Sequence, residues 1–137
     1  LNREMSDNKF RFGAVFYADP NDVKNGIEKN RYTLLTSNMN YFKSYVDQIQ
    51  LFDGGDEPED WAGGYEICVN SMNWEKGIKI IIHIADAPAH SALYNNGNDR
   101  KDYSSEGPRL DNLIQKCAKM DINIVAFKIG LSPGKAL

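Results

Sequence analysis

Cysteine is scarce in this chain: Cys68 and Cys117 are the two present in 137 residues. Two cysteines do not make a disulfide scaffold. Both fall at apolar positions of predicted helices, where a thiol serves as a small core side chain. No Asn-x-Ser/Thr sequon occurs, so the chain reads as cytoplasmic. No apolar run approaches the roughly 20 residues of a membrane span. Leu1–Lys9 carries no apolar signal core. Net charge is −3 with no basic cluster, which leaves nucleic acid without an electrostatic footprint. A phosphate loop is also missing. The stretch from Gly130 to Ala136 has one residue too few between its glycines and no hydroxyl after Lys135.

Hydrophobic residues make up 42% and aromatics 11%, a globular composition at a length that suits one domain. Phe10–Tyr17 reads as a strand, followed by an Asp19–Asp22 turn. Tyr32–Thr36 is a short strand, suited to a sheet edge. Asn38 or Asn40 caps a helix to about Phe52, with Phe42, Tyr45, Val46 and Ile49 on one stripe. The most acidic segment, Asp53–Asp60, opens a second helix to about Met72. Pro58 lies in its first turn, and Gly63 and Gly64 imply close approach of another backbone. A third helix spans about Pro108–Met120 and a last strand Ile122–Ile129. Between them and the preceding strand lies the long polar loop Ala87–Gly107, whose length marks it as functional or mobile. Strands alternating with helices predict an α/β fold: a three-layer, doubly wound, mostly parallel sheet with helices on both faces.

The centre of this pattern is Ile78–Ser91, IKIIIHIADAPAHS. Its isoleucines predict a strand covered on both faces, and Pro88 stops it. Asp86 is then presented where a buried parallel strand ends, the place where open α/β sheets hold ligands. Asp86 as a mere strand terminator, with the acidic loop as a solvated helix start, stays open beside this. His83 reads as a satisfied core histidine. His90 lies four residues beyond Asp86, and Asp19 follows a strand on the same edge.

FRFGAVFYAD, the GGDEPED segment opening a helix with Gly63-Gly64, and IIHIADAPAH together resemble the von Willebrand factor A (VWA) domain. They are most similar to the VWA domains found beside alpha-type protein kinases. The resemblance implies a non-catalytic protein-interaction module whose sheet top binds an acidic side chain of a protein partner through Mg²⁺. It implies Asp86, Asp56 and Glu59 as metal ligands; Asp19 and His90, by their positions after strand ends, are expected in the second shell or at the rim. The family's Asp-x-Ser-x-Ser motif does not occur in this chain. Residues 1–137 are thus expected to form a single VWA-like domain lacking its N-terminal strand and helix and its last helix. Its metal site would be incomplete, and a sheet edge would be open to self-association or a borrowed strand. A second expectation is a regulatory segment of an alpha-type Ser/Thr protein kinase. A third is a small α/β hydrolase using Asp86 and His90.

Overall fold

The computed structural model describes residues 10–19, 30–50, 58–95, 97, 99 and 101–130. In chain order these give β1 (Val15–Phe16), β2 (Arg31–Tyr32), α1 (Met39–Asp47), α2 (Trp61–Asn70), β3 (Lys79–Ala85), α3 (Ala92–Asn95), α4 (Glu106–Lys119) and β4 (Ile122–Lys128). The fold is α/β. Its strands form two separate pairs among the described residues: β1 with β2 antiparallel, β3 with β4 parallel.

The parallel pair is regular over seven residues, from Lys79 opposite Ile122 to Ala85 opposite Lys128. The chain crosses between the two strands through α3 and α4, the length a parallel connection needs. The first strand is less regular than FRFGAVFY suggests. It pairs at Phe12 with Thr36 and again at Val15–Phe16 with Arg31–Tyr32, so the strand expected over Tyr32–Thr36 is reduced to β2 and one isolated bridge at Thr36.

Helix starts follow local chemistry. Asn38 caps α1 by accepting from the Tyr41 N–H at 3.0 Å. Asp60 caps α2 by accepting from the Gly63 N–H at 2.8 Å, so α2 begins just after Pro58 and Glu59 rather than with them. Gly63 and Gly64 are indeed tight positions, but against side chains rather than another backbone. A Cβ on Gly64 would lie 2.9 Å from the Tyr17 ring, and one on Gly63 would run into the Asp60 carboxylate.

The core lies between α2, α4 and one face of the parallel pair: Ala62, Tyr65, Ala89, Leu110, Leu113, Cys117 and Ile122. Both cysteines are free, with Cys117 in that core and Cys68 half-buried. The expectation that Ile78–Ala85 is covered on both faces does not hold. His83 is 8% exposed, but Ile82 is 61% and Ile84 54% exposed. Side chains alternate across a strand, and α2 and α4 both pack on the face that holds Ile81, His83 and Ile124. The opposite face carries Ile80, Ile82, Ile84, Val125 and Phe127 to the surface.

Candidate functional site at the end of the parallel strand

The loops on either side of β3's end are sewn together. The Glu59 N–H donates to the Pro88 carbonyl at 2.9 Å, and the His90 N–H donates to the Glu59 carbonyl at 3.2 Å. Pro88 stops the strand, and the chain after it pairs with the residues that precede α2. This brings Glu59, half-buried, to the same end of the fold as Asp86, which is exposed. Tyr17 joins them from the first strand. Its hydroxyl is held well above the ordinary tyrosine range, first by burial and then by the negative charges of Glu59 and Asp86. Glu59, Asp86 and Tyr17 line one cavity together with Trp61. Asp56, the other carboxylate expected here, lies outside the described residues.

Below the rim is a neutral histidine. His83 Nε2 meets the Tyr17 hydroxyl at 3.0 Å, and Nδ1 meets the Tyr65 hydroxyl at 3.1 Å. Trp61 packs edge-on at 4.3 Å between ring centroids. Burial lowers the His83 pKa. A neutral imidazole donates from one nitrogen and accepts at the other, so one tyrosine gives it a hydrogen bond and the other receives one. His83 is therefore the satisfied core histidine that its apolar neighbours suggest.

His90 and Asp19 form a separate, buried cluster. His90 Nε2 lies 2.8 Å from both Asp19 carboxylate oxygens, Nδ1 lies 2.7 Å from Asp99, and Tyr103 stacks on the ring at 3.7 Å. Two carboxylates only accept, so both ring nitrogens carry protons and the ring is an imidazolium. Burial alone would lower the His90 pKa, but the hydrogen bonds and charges of Asp99 and Asp19 carry it above the ordinary value. Asp99 lies below its ordinary value. Burial opposes that shift and is outweighed by hydrogen bonds from Asn95, His90 and the Ser91 backbone.

Asp86 and His90 are thus not partners. One is at the surface, and the other is turned inward and bound to two other acids. Ser91, at φ 100°, takes its place beneath α4, where a Cβ on Gly107 would come within 2.7 Å of the Ser91 hydroxyl oxygen. Sequence spacing does not reveal Tyr17, Tyr65, Asp99 or Tyr103. Asp99 and Tyr103 lie in the long polar loop, whose length was the one signal. Among the described residues, no group of three or more His, Cys, Asp or Glu side chains is gathered for a metal ion.

Compared with known proteins, the chain matches no family model. No solved structure matches it either. Among curated proteins it is similar to the alpha-protein kinase vwkA of Dictyostelium discoideum, at 31% identity over 122 residues. That match takes in 88% of this chain but 19% of the kinase, so the chain spans about a fifth of the length of the curated relative it resembles.

Proposed function

We propose that this chain is a non-catalytic protein-interaction module of VWA type that accompanies an alpha-type kinase, and that it engages an acidic group of a partner through Mg²⁺ held by Asp86 and Glu59. The observation that carries this is the convergence of those two carboxylates, from separate loops, at the end of a parallel strand. The donor set suits the ion. Mg²⁺ takes hard oxygen ligands, keeps several waters and is commonly held by one or two carboxylates. When bound, the ion would supply an electrophilic contact for a partner carboxylate. The chain's own residues do the rest. The Pro88–Glu59 and Glu59–His90 backbone bonds fix the Glu59 loop against the strand end. The Tyr17 hydroxyl stays protonated beside both carboxylates, tethered from below by His83.

Titration with Mn²⁺, followed by calorimetry and by paramagnetic broadening of the Ala85–Ala87 amides, tests the metal site. Saturable binding is expected, weakened about tenfold or more by Asp86→Ala or Glu59→Gln. A short Asp-containing peptide is expected to bind with Mn²⁺ present and to be released by chelation. Equal Mn²⁺ binding by wild type and the double variant would remove the metal from this account.

A second reading, favoured by the similarity to an alpha-protein kinase, is a regulatory segment acting on a kinase region of the same polypeptide. Linking this chain to an alpha-type catalytic region and measuring phosphoryl transfer tests it. An unchanged rate with and without the chain would rule it out.

A further inference from the structure

The polar loop that leads from β3 to α4 reaches back to the strand end through Asp99. One carboxylate holds two groups there. Its Oδ1 lies 2.7 Å from His90 Nδ1, and its Oδ2 accepts from the Ser91 N–H at 3.1 Å. These groups belong to adjacent residues, so Asp99 fixes the ring of one and the backbone of the next. Ser91 needs the hold. Its φ of 100° is unfavourable for a residue with a Cβ, and such a conformation persists only where the surroundings enforce it. Asp99 enforces it from one side. Gly107 of α4 closes on it from the other, where an added Cβ would come within 2.7 Å of the Ser91 hydroxyl oxygen.

From Ser91 the constraint passes to Glu59 in two short steps. His90 is clamped at both ring nitrogens, by Asp99 at Nδ1 and by Asp19 at Nε2, 2.8 Å from each Asp19 oxygen. Its side chain cannot swing without breaking a charge-assisted bond. That leaves its backbone N–H aimed at the Glu59 carbonyl, at 3.2 Å. The Glu59 N–H in turn donates to the Pro88 carbonyl at 2.9 Å, and Glu59 pairs with Ala89 as an isolated parallel bridge. Asn95 braces the same stretch: it donates to the Ala89 carbonyl at 3.3 Å and also bonds Asp99. Tyr103, four residues beyond Asp99, covers the His90 ring with 3.7 Å between centroids.

We propose that Asp99 is a positioning residue for the rim: through Ser91 and His90 it holds Glu59 beside the end of β3, in place to share an ion with Asp86. This rests on the reading of Glu59 and Asp86 as metal ligands. Asp99 is itself engaged by His90, Ser91 and Asn95, so its part is to orient a ligand rather than to be one. Groups that orient metal ligands in this way commonly account for about ten- to hundredfold in metal affinity. The long loop thereby has a task at the site although Asp99 is 13 residues from Asp86 and 40 from Glu59 in sequence.

The test compares wild type, Asp99→Ala, Asp99→Asn and Ile122→Val in the full chain. Ile122 is a core residue paired with Lys79 at the other end of the parallel strands, so Ile122→Val controls for a general loss of stability. The first readout is amide exchange without metal. Asp99→Ala is expected to speed exchange of the Glu59 and His90 N–H groups about tenfold or more relative to Ile122→Val. The second is Mn²⁺ affinity by calorimetry, expected to fall about tenfold or more in Asp99→Ala and to hold in Ile122→Val. Asp99→Asn keeps the shape. Its oxygen accepts from Ser91 and its amide donates to His90 Nδ1 once the ring gives up that proton, so both readouts are expected within about threefold of wild type. An equal loss in Asp99→Asn and Asp99→Ala would overturn the proposal, because it would mark the charge of Asp99 rather than its hold. So would Glu59 and His90 amides no faster in Asp99→Ala than in Ile122→Val, or an unchanged Mn²⁺ affinity. If Asp99→Ala does not fold, linkage puts the same question to the wild type: Mn²⁺ is expected to slow exchange of the Ser91 N–H, and an unchanged Ser91 rate overturns the proposal. A wild type that binds no Mn²⁺ would remove the metal reading instead, and exchange at Glu59 would then decide the hold of Asp99 by itself.

Discussion

His83 and His90, seven residues apart on one stretch of chain, end in different charge states, and their surroundings give the reason. His83 sits between two tyrosine hydroxyls with its pKa lowered by burial. Burial acts on His90 too, but Asp99 and Asp19 reverse it. The linkage signs follow. A histidine whose folded pKa is lowered costs stability as pH falls below its unfolded value of about 6.5. One whose folded pKa is raised contributes fully below about 6.5 and loses that contribution as pH climbs through its folded value. Thermal melts from acid to mildly alkaline pH are expected to peak between these limbs, with His90→Gln flattening the alkaline one. An alkaline limb that survives in His90→Gln would refute the assignment. Removing the imidazolium altogether strands the buried Asp19 carboxylate and the half-buried Asp99 carboxylate. His90→Ala is therefore expected to cost about 3–5 kcal/mol in urea unfolding. The sequence shows that His83 has apolar neighbours and little more about either ring, because the partners of His90 lie 71 and 9 residues away.

Among the elements, α2 is the one whose sequence signals were most nearly sufficient. The acidic residues before it announce a helix start, and Asp60 supplies the cap. Asp60→Ala is expected to destabilise the fold by about 0.5–2 kcal/mol. The two glycines that look costly are required by the neighbours. Gly64→Ala gains about 1 kcal/mol of helix propensity. It also drives a methyl into the Tyr17 ring at 2.9 Å, so a net loss of stability is expected from an overpacking cost of about 1–3 kcal/mol. A melting temperature for Gly64→Ala above wild type would show that the ring yields freely. The same variant displaces Tyr17 from His83, so it is also expected to alter the His83 titration. Helix α4 was legible from its 3.6-residue stripe, with Leu110, Leu113 and Cys117 buried as that period requires. The isoleucine run of β3 was legible as a strand. Its exposure was not, because a continuous apolar run signals two covered faces only where two layers are there to cover them.

For the whole molecule, the uncovered face of the parallel pair is the main consequence. Ile80, Ile82, Ile84, Val125 and Phe127 form a contiguous apolar surface of the kind that marks an interaction face or an aggregation liability. Ile82→Lys and Phe127→Glu are expected to change folding stability by no more than about 0.5 kcal/mol each, as exposed positions do. They are expected to reduce concentration-dependent association in light scattering. Association unchanged in the double variant would place self-contact elsewhere. By itself the sequence determined the α/β class, the two apolar strands and the helix before the second of them, the asparagine cap of α1 and the presentation of Asp86 at a strand end. All of these rest on local period, capping and turn chemistry, which short stretches of chain encode. Tertiary structure alone decided that Tyr17 joins Glu59 and Asp86 in lining one cavity, that His90 turns inward to Asp19 and Asp99, and that Ile80, Ile82 and Ile84 of β3 are exposed. Each of these depends on residues distant in sequence coming together, and no spacing along the chain records that.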